Sequence, residues 1–66
     1  QPMAVNQKLL YRMPEGAEVI GVSRAKFYEL VKRGEIKAVK LDGEMRVTND
    51  ELARYAQSLP RVDAEA

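Results

Sequence analysis

The stretch AEVIGVSRAKFYELVKR, residues 17–33, constrains this chain more than any other. Ala17, Glu18, Val19 and Ile20 read as the end of one helix. Gly21 falls where a helix C-terminus wants a residue that tolerates the left-handed conformation. Val22 follows, then Ser23, a preferred N-cap whose hydroxyl accepts from an orphan backbone N–H. Val22 before that cap and Phe27 at the fourth helical position have the spacing of a hydrophobic staple. Phe27, Leu30 and Val31 then make one apolar face, while Arg24, Tyr28 and Lys32 recur at i, i+4 and i+8 on another. Gly34 stops the helix. The spacing predicts two helices joined by a tight turn, the second over Arg24–Arg33.

The flanks complete the outline. Pro14 suits the first position of the preceding helix, where its missing N–H costs nothing. The residue before a proline avoids helical backbone, which puts Met13 outside. Arg12 and Met13 are poor caps, and Gly16 weakens the helix by about 1 kcal/mol relative to Ala. Glu15 offsets part of this at the positive end of the dipole. Leu9–Tyr11 is a short apolar run, expected as a third strand that pairs with a hairpin over Lys37–Val47. Asp42-Gly43 is the turn signal of that hairpin. A two-residue turn would set Leu41 across from Glu44 and Val39 across from Arg46, mixing apolar with charged on one face. A slip by one pairs Leu41 with Met45 and Val39 with Val47, and the apolar pattern favours it through a longer loop or bulge at Gly43. In that register Lys40 and Arg46 share the outer face. The last helix, Asn49–Leu59, opens on a capping box of Thr48 and Glu51 and a staple of Val47 and Leu52. Its stripe of Leu52, Tyr55, Ala56 and Leu59 is core, and Pro60 ends it. The expected core is Ala17, Val19, Ile20, Val22, Phe27, Leu30, Val39, Leu41, Val47, Leu52 and Tyr55.

The fold class is therefore small α+β: one domain over 9–59, a flexible arm over 1–8 and a flexible tail over 60–66. Sixty-six residues bury only about 60% of their unfolded surface. Such a core rarely supplies more than roughly 3–5 kcal/mol. The chain has no Cys and no His. That removes disulfides, thiolate nucleophiles, His general bases and the usual zinc ligands, so neither a metal nor a cofactor is expected. Its acids are scattered, Ser23 has no His partner and no Gly-rich phosphate loop occurs, which argues against an enzyme. No stretch nears the roughly 20 apolar residues of a membrane span, and the start, QPMAVNQK, has no apolar signal region. An unstapled domain of this size fits a reducing cytoplasm better than secretion.

Net charge is only +1, but its distribution is uneven. Residues 23–46 carry Arg24, Lys26, Lys32, Arg33, Lys37, Lys40 and Arg46 against Glu29, Glu35, Asp42 and Glu44, a net +3. Residues 47–66 carry Arg54 and Arg61 against Asp50, Glu51, Asp63 and Glu65, a net −2. A basic middle suits an anionic partner. A bias this modest also fits an ordinary solvated surface.

The pattern as a whole resembles a DNA-binding helix-turn-helix, with Ala17, Gly21, Phe27 and Leu30 on the small, turn and core positions. The following stretch, GEIKAVKLDGEMRVTNDELARY, resembles the rest of the small excisionase and MerR-like winged-helix family. In that family a GVSR-type turn, a Gly-Glu helix exit, a basic two-stranded wing and a last helix follow in this order. The resemblance covers Leu9 to Leu59. It implies a winged helix-turn-helix of three helices and a two-stranded wing, with double-stranded DNA as partner.

The resemblance implies where DNA contacts would lie. On the recognition helix they are Ser23, Arg24, Ala25, Lys26, Tyr28, Glu29, Lys32 and Arg33; on the wing, Lys40, Gly43, Glu44 and Arg46. Ser23 is a cap, a phosphate contact or both. Arg24 has a fork that fits the O6 and N7 of guanine, or it holds a phosphate. Lys26 reaches phosphate or a base edge. Tyr28 contacts phosphate or covers the core edge. Lys32 and Arg33 suit phosphate, and equally the negative end of the helix dipole. Glu29 accepts from cytosine N4 or pairs with Arg33 at i+4. An outward Lys40–Arg46 pair is repulsive unless a phosphate lies opposite; otherwise the wing charges serve solubility.

Three functions follow. The first is an excisionase that binds attachment-site DNA, bends it and directs a tyrosine integrase toward excision, with copies associating head-to-tail. The second is a small transcriptional regulator, and the third a protein–protein module on the same fold. MerR regulators carry a long dimerisation helix after the DNA-binding domain. Its absence from this sequence favours the first, and the clustering of bases on helix and wing disfavours the third.

Overall fold

The computed structural model describes residues 8–62. The expected arm and tail lie outside these, except for Lys8 and residues 60–62. The elements run β1 (Leu10–Arg12), α1 (Met13–Ile20), α2 (Arg24–Lys32), β2 (Val39–Leu41), β3 (Glu44–Thr48) and α3 (Asn49–Ser58). This is a small α+β fold consistent with a winged helix-turn-helix. The sheet is antiparallel in the order β1-β3-β2, so the predicted third strand exists, one residue later than expected.

Local signals explain most boundaries. Gly21 closes α1 at φ 82°, its N–H bonding the carbonyls of Ala17 and Glu18, while the Val22 N–H also reaches Ala17. The Ser23 hydroxyl caps α2 by accepting from the Lys26 N–H at 3.1 Å. Gly34, also at φ 82°, turns the chain so that the Glu35 and Ile36 N–H groups bond the Leu30 carbonyl. That return buries Ile36 completely.

Helix α1 begins one residue earlier than expected. Met13 is its first residue and Pro14 its second. Proline is still tolerated in the first turn, and Met13 gains burial in the core, which outweighs the disfavoured backbone before proline. Arg12 is the N-cap without a side-chain bond, and Glu15 compensates by accepting from its N–H at 2.9 Å.

The core consists of Met13, Ala17, Phe27, Leu30, Ile36, Val47 and Leu52, with Tyr11, Ile20, Val22, Val31 and Tyr55 packed partly buried around it. Three expected members are outside it: Val19, Val39 and Leu41 are 52%, 42% and 46% exposed. Ala56 and Leu59, the far half of the α3 stripe expected as core, are exposed as well, and with Val19 they rim an apolar groove between α1 and α3. Gly16, which looked like a weakness, is a packing requirement. A Cβ there would stand 2.8 Å from Val47 Cγ1 and 2.9 Å from Phe27 Cζ.

The hairpin register also differs from the expectation. Val39 lies across from Arg46, Lys40 from Met45 and Leu41 from Glu44. Asp42 and Gly43 both have positive φ, 54° and 82°, the pair a two-residue type I′ turn requires. Turn chemistry overrides the apolar pattern because β2 is an edge strand, exposed throughout, so its Val39 and Leu41 are not held by the core. Lys40 and Arg46 consequently lie on opposite faces of the sheet, and the expected outward pair does not exist.

Candidate nucleic-acid interface

Helix α2 buries Phe27 and Leu30 and turns its other sides to solvent. Arg24, Ala25 and Lys26 are exposed in its first turn, Tyr28 is 45% exposed, and Lys32 is exposed in the last turn. Arg24 lies beside Pro14, Glu15 and Glu18 of α1. Glu29 accepts from Arg33 at 3.1 Å, and Arg33 also holds Glu35 at 2.8 Å. The i,i+4 pairing anticipated for Glu29 is thus present, and both side chains already have partners.

On the wing, Gly43 forms the turn and Glu44 pairs with Arg46 at 3.1 Å. Arg46 also donates to the Met45 carbonyl. Tyr28, Gly43, Glu44 and Arg46 line one groove between α2 and the wing. Arg12 lines it too, a residue considered in the sequence only as a cap. Its place opposite Arg46 in the β1–β3 register brings it there. Nothing in a three-residue strand announces such a pairing in advance. Lys40 stands apart from this groove, beside Val31 and Gly34.

Where α2 leads into the wing, polar contacts tie the chain to α3. The Thr48 hydroxyl accepts from the Glu51 N–H at 3.0 Å, the first half of the expected capping box. The second half does not form. Thr48 belongs to β3 and pairs with Leu10, and the Glu51 carboxylate is drawn elsewhere. It accepts from the Lys37 N–H at 2.9 Å and from Arg54 at 2.6 Å, while Arg54 donates to the Glu35 carbonyl at 2.8 Å. The segment between α2 and β2 is pinned to α3 at two points. Arg54, then the Lys37 N–H, hold the Glu51 carboxyl down to about 2, and Glu51 raises Arg54 in return. Glu15 is lowered by the Arg12 N–H, with Lys8 adding to it at 3.0 Å.

An exposed helix after a tight Gly turn, with a hairpin beside it, is the geometry that enters a DNA groove. The family model described as a helix-turn-helix domain matches residues 10–60. The chain belongs to this family. No curated protein and no solved structure matches it. As a helix-turn-helix domain the chain has DNA as its partner. Among the described residues no helix is long and apolar enough to cross a membrane.

Proposed function

We propose that this helix-turn-helix protein is a small excisionase, a recombination directionality factor that binds attachment-site DNA in the bacterial cytoplasm and directs a tyrosine integrase toward excision. The observation that carries the DNA-binding part is the open row on α2, Arg24, Ala25, Lys26 and Tyr28, with the wing beside it. The excisionase part rests on the resemblance of residues 9–59 to that family. The protein acts by binding, not by catalysis.

In this reading the first turn of α2 enters the major groove. Arg24 spans a guanine edge and Lys26 a base edge or phosphate, while the Ser23 cap and the helix N-terminus meet the backbone. Tyr28, Lys32 and the wing residues Lys40, Gly43 and Arg46 follow the flanking phosphates, with Glu44 beside them at the wing tip as the partner of Arg46. Glu29 and Arg33 engage DNA only by exchanging their mutual ion pair. A module this size buries about 600–1,000 Å² on DNA, so one copy binds weakly. Neighbouring copies on direct repeats raise one another's effective concentration. Such a head-to-tail contact sets the acidic side of α3, through Asp50, against the basic segment of the next copy. Together the copies supply the roughly 1–6 kcal/mol that bending a site requires.

The test is a gel-shift titration on attachment DNA with one, two and three sites, a phasing assay for curvature, and footprints with and without integrase. Cooperative filling, a bend and an extended footprint with integrase are expected. Independent filling without a bend would overturn the excisionase reading and leave a transcriptional regulator.

A further inference from the structure

The register Arg12↔Arg46 sets two arginines directly across from each other on neighbouring strands. Like charges in that position destabilise a sheet. Among the described residues, the Arg12 guanidinium makes no hydrogen bond or ion pair. Arg46 has one acidic partner, Glu44, which is 71% exposed and so held only loosely. Both arginines line the groove that Tyr28 of α2 and Gly43 of the turn close from the other sides. Cations are therefore gathered in a concave site, with a phenol nearby and a glycine where backbone approaches closely.

We infer that Arg12 and Arg46, across β1 and β3, form a phosphate seat between the recognition helix and the wing, in which Glu44 stands in for the phosphate when DNA is absent. The inference rests on the DNA-binding reading and adds to it a residue, Arg12, and an exchange. On DNA a backbone phosphate takes up both guanidinium groups, each of which can present two parallel N–H donors. Repulsion between the arginines then becomes attraction toward one shared anion. Glu44 leaves Arg46 and turns to solvent. The Tyr28 hydroxyl is placed to donate to the same phosphate. The seat reads no base; it sets how deeply α2 sits in the groove.

The test uses the full chain and a random-sequence duplex, titrated between about 50 and 200 mM salt. Arg12→Gln should weaken binding several-fold at the low-salt end and reduce the salt slope by about 1, the loss of one phosphate contact. It should melt near the parent temperature, since it removes the charge across from Arg46 and, with it, the attraction of Arg12 for Glu15. Arg12→Lys should keep most of the slope. Glu44→Gln should strengthen binding more in the parent than in an Arg46→Gln background, where Glu44 has no arginine to release. If Arg12→Gln leaves affinity and slope unchanged while the parent binds normally, or Glu44→Gln acts alike in both backgrounds, the seat is refuted and the DNA reading stands. If the parent shows no salt-dependent duplex binding, the DNA reading itself fails.

Discussion

Gly16→Ala would add one methyl group where α1 packs against Phe27 and Val47. From propensity alone, Ala in a helix interior gains about 1 kcal/mol over Gly. In the structure the added methyl lands 2.8 Å from Val47 Cγ1 and 2.9 Å from Phe27 Cζ. Comfortable carbon contacts lie at about 3.5–4.0 Å, so both neighbours must retreat by more than half an ångström. Neither has room, because both side chains are fully buried. Overpacking of this kind costs about 1–3 kcal/mol, and two simultaneous clashes put it in the upper part of that range. After the helical gain, the net expectation is a loss of about 1–2 kcal/mol. In a domain this small each kcal/mol moves Tm by roughly 4–8 °C. The assay is thermal and urea melting of the parent, Gly16→Ala, Val47→Ala and the double variant. Val47→Ala removes one of the two clashing atoms, so Gly16→Ala should cost less in that background, a coupling a double-mutant cycle reads directly. A Gly16→Ala protein that melts above the parent, or costs that simply add, would refute the packing argument.

Phe27→Ala removes the ring at the centre of the core and should cost roughly 3–5 kcal/mol, comparable to the whole stability of a chain this size; a variant that still melts cooperatively near the parent temperature would show otherwise. Glu51 has a folded pKa of about 2 against a usual 4.5, so its contribution is complete above pH 4.5 and is lost as pH falls toward 2. Urea midpoints should drop over that window in the parent and drop less in Glu51→Gln. Arg24→Ala should cost about 1–3 kcal/mol of DNA binding and relax preference at one base pair, measured by competition among site variants. Arg46→Ala should weaken all duplexes alike and lower the salt slope by about 1, with Lys40→Ala doing less because Lys40 lies on the other face of the wing; equal effects from both would mean that the hairpin lies flat on the backbone.

What was legible in the sequence was whatever one local signal decides. Gly21, Ser23, Gly34 and Thr48 mark helix ends by their own chemistry, and the structure uses each of them as such. Phe27, Leu30 and Leu52 recur at helical spacing and are buried. Less legible were residues whose role depends on a distant partner. Ile36 stands alone between Glu35 and Lys37, with no period to betray it, and is buried because the chain folds back after Gly34. Gly16 looks like any helix-weakening glycine until Phe27 and Val47 close over it. The hairpin set two local rules against each other. The apolar pattern loses to the turn because β2 is an edge strand whose Val39 and Leu41 stay 42% and 46% exposed, so little burial is at stake. On α2 the positions outside the apolar face are exposed, while Arg12 joins the groove only because β1 is in register with β3.

The sheet order β1-β3-β2 also sets the order in which the protein can be assembled. Helices α1 and α2 and the hairpin are made of neighbours in sequence, whose contacts close quickly. Strand β1 is different: its Leu10 pairs with Thr48, and the Leu9 carbonyl takes the Asn49 N–H at 2.9 Å, so the first strand waits for the last one. During synthesis Leu10–Arg12 has no partner strand until almost the whole domain has emerged. The loop then closed spans nearly all of it, though the entropy cost rises only with the logarithm of its length. Arg12 ends that late strand. The groove beside α2 is therefore among the last parts of the molecule to form, and a chain interrupted before β3 would carry the turn and α2 without the strands that line that groove with them.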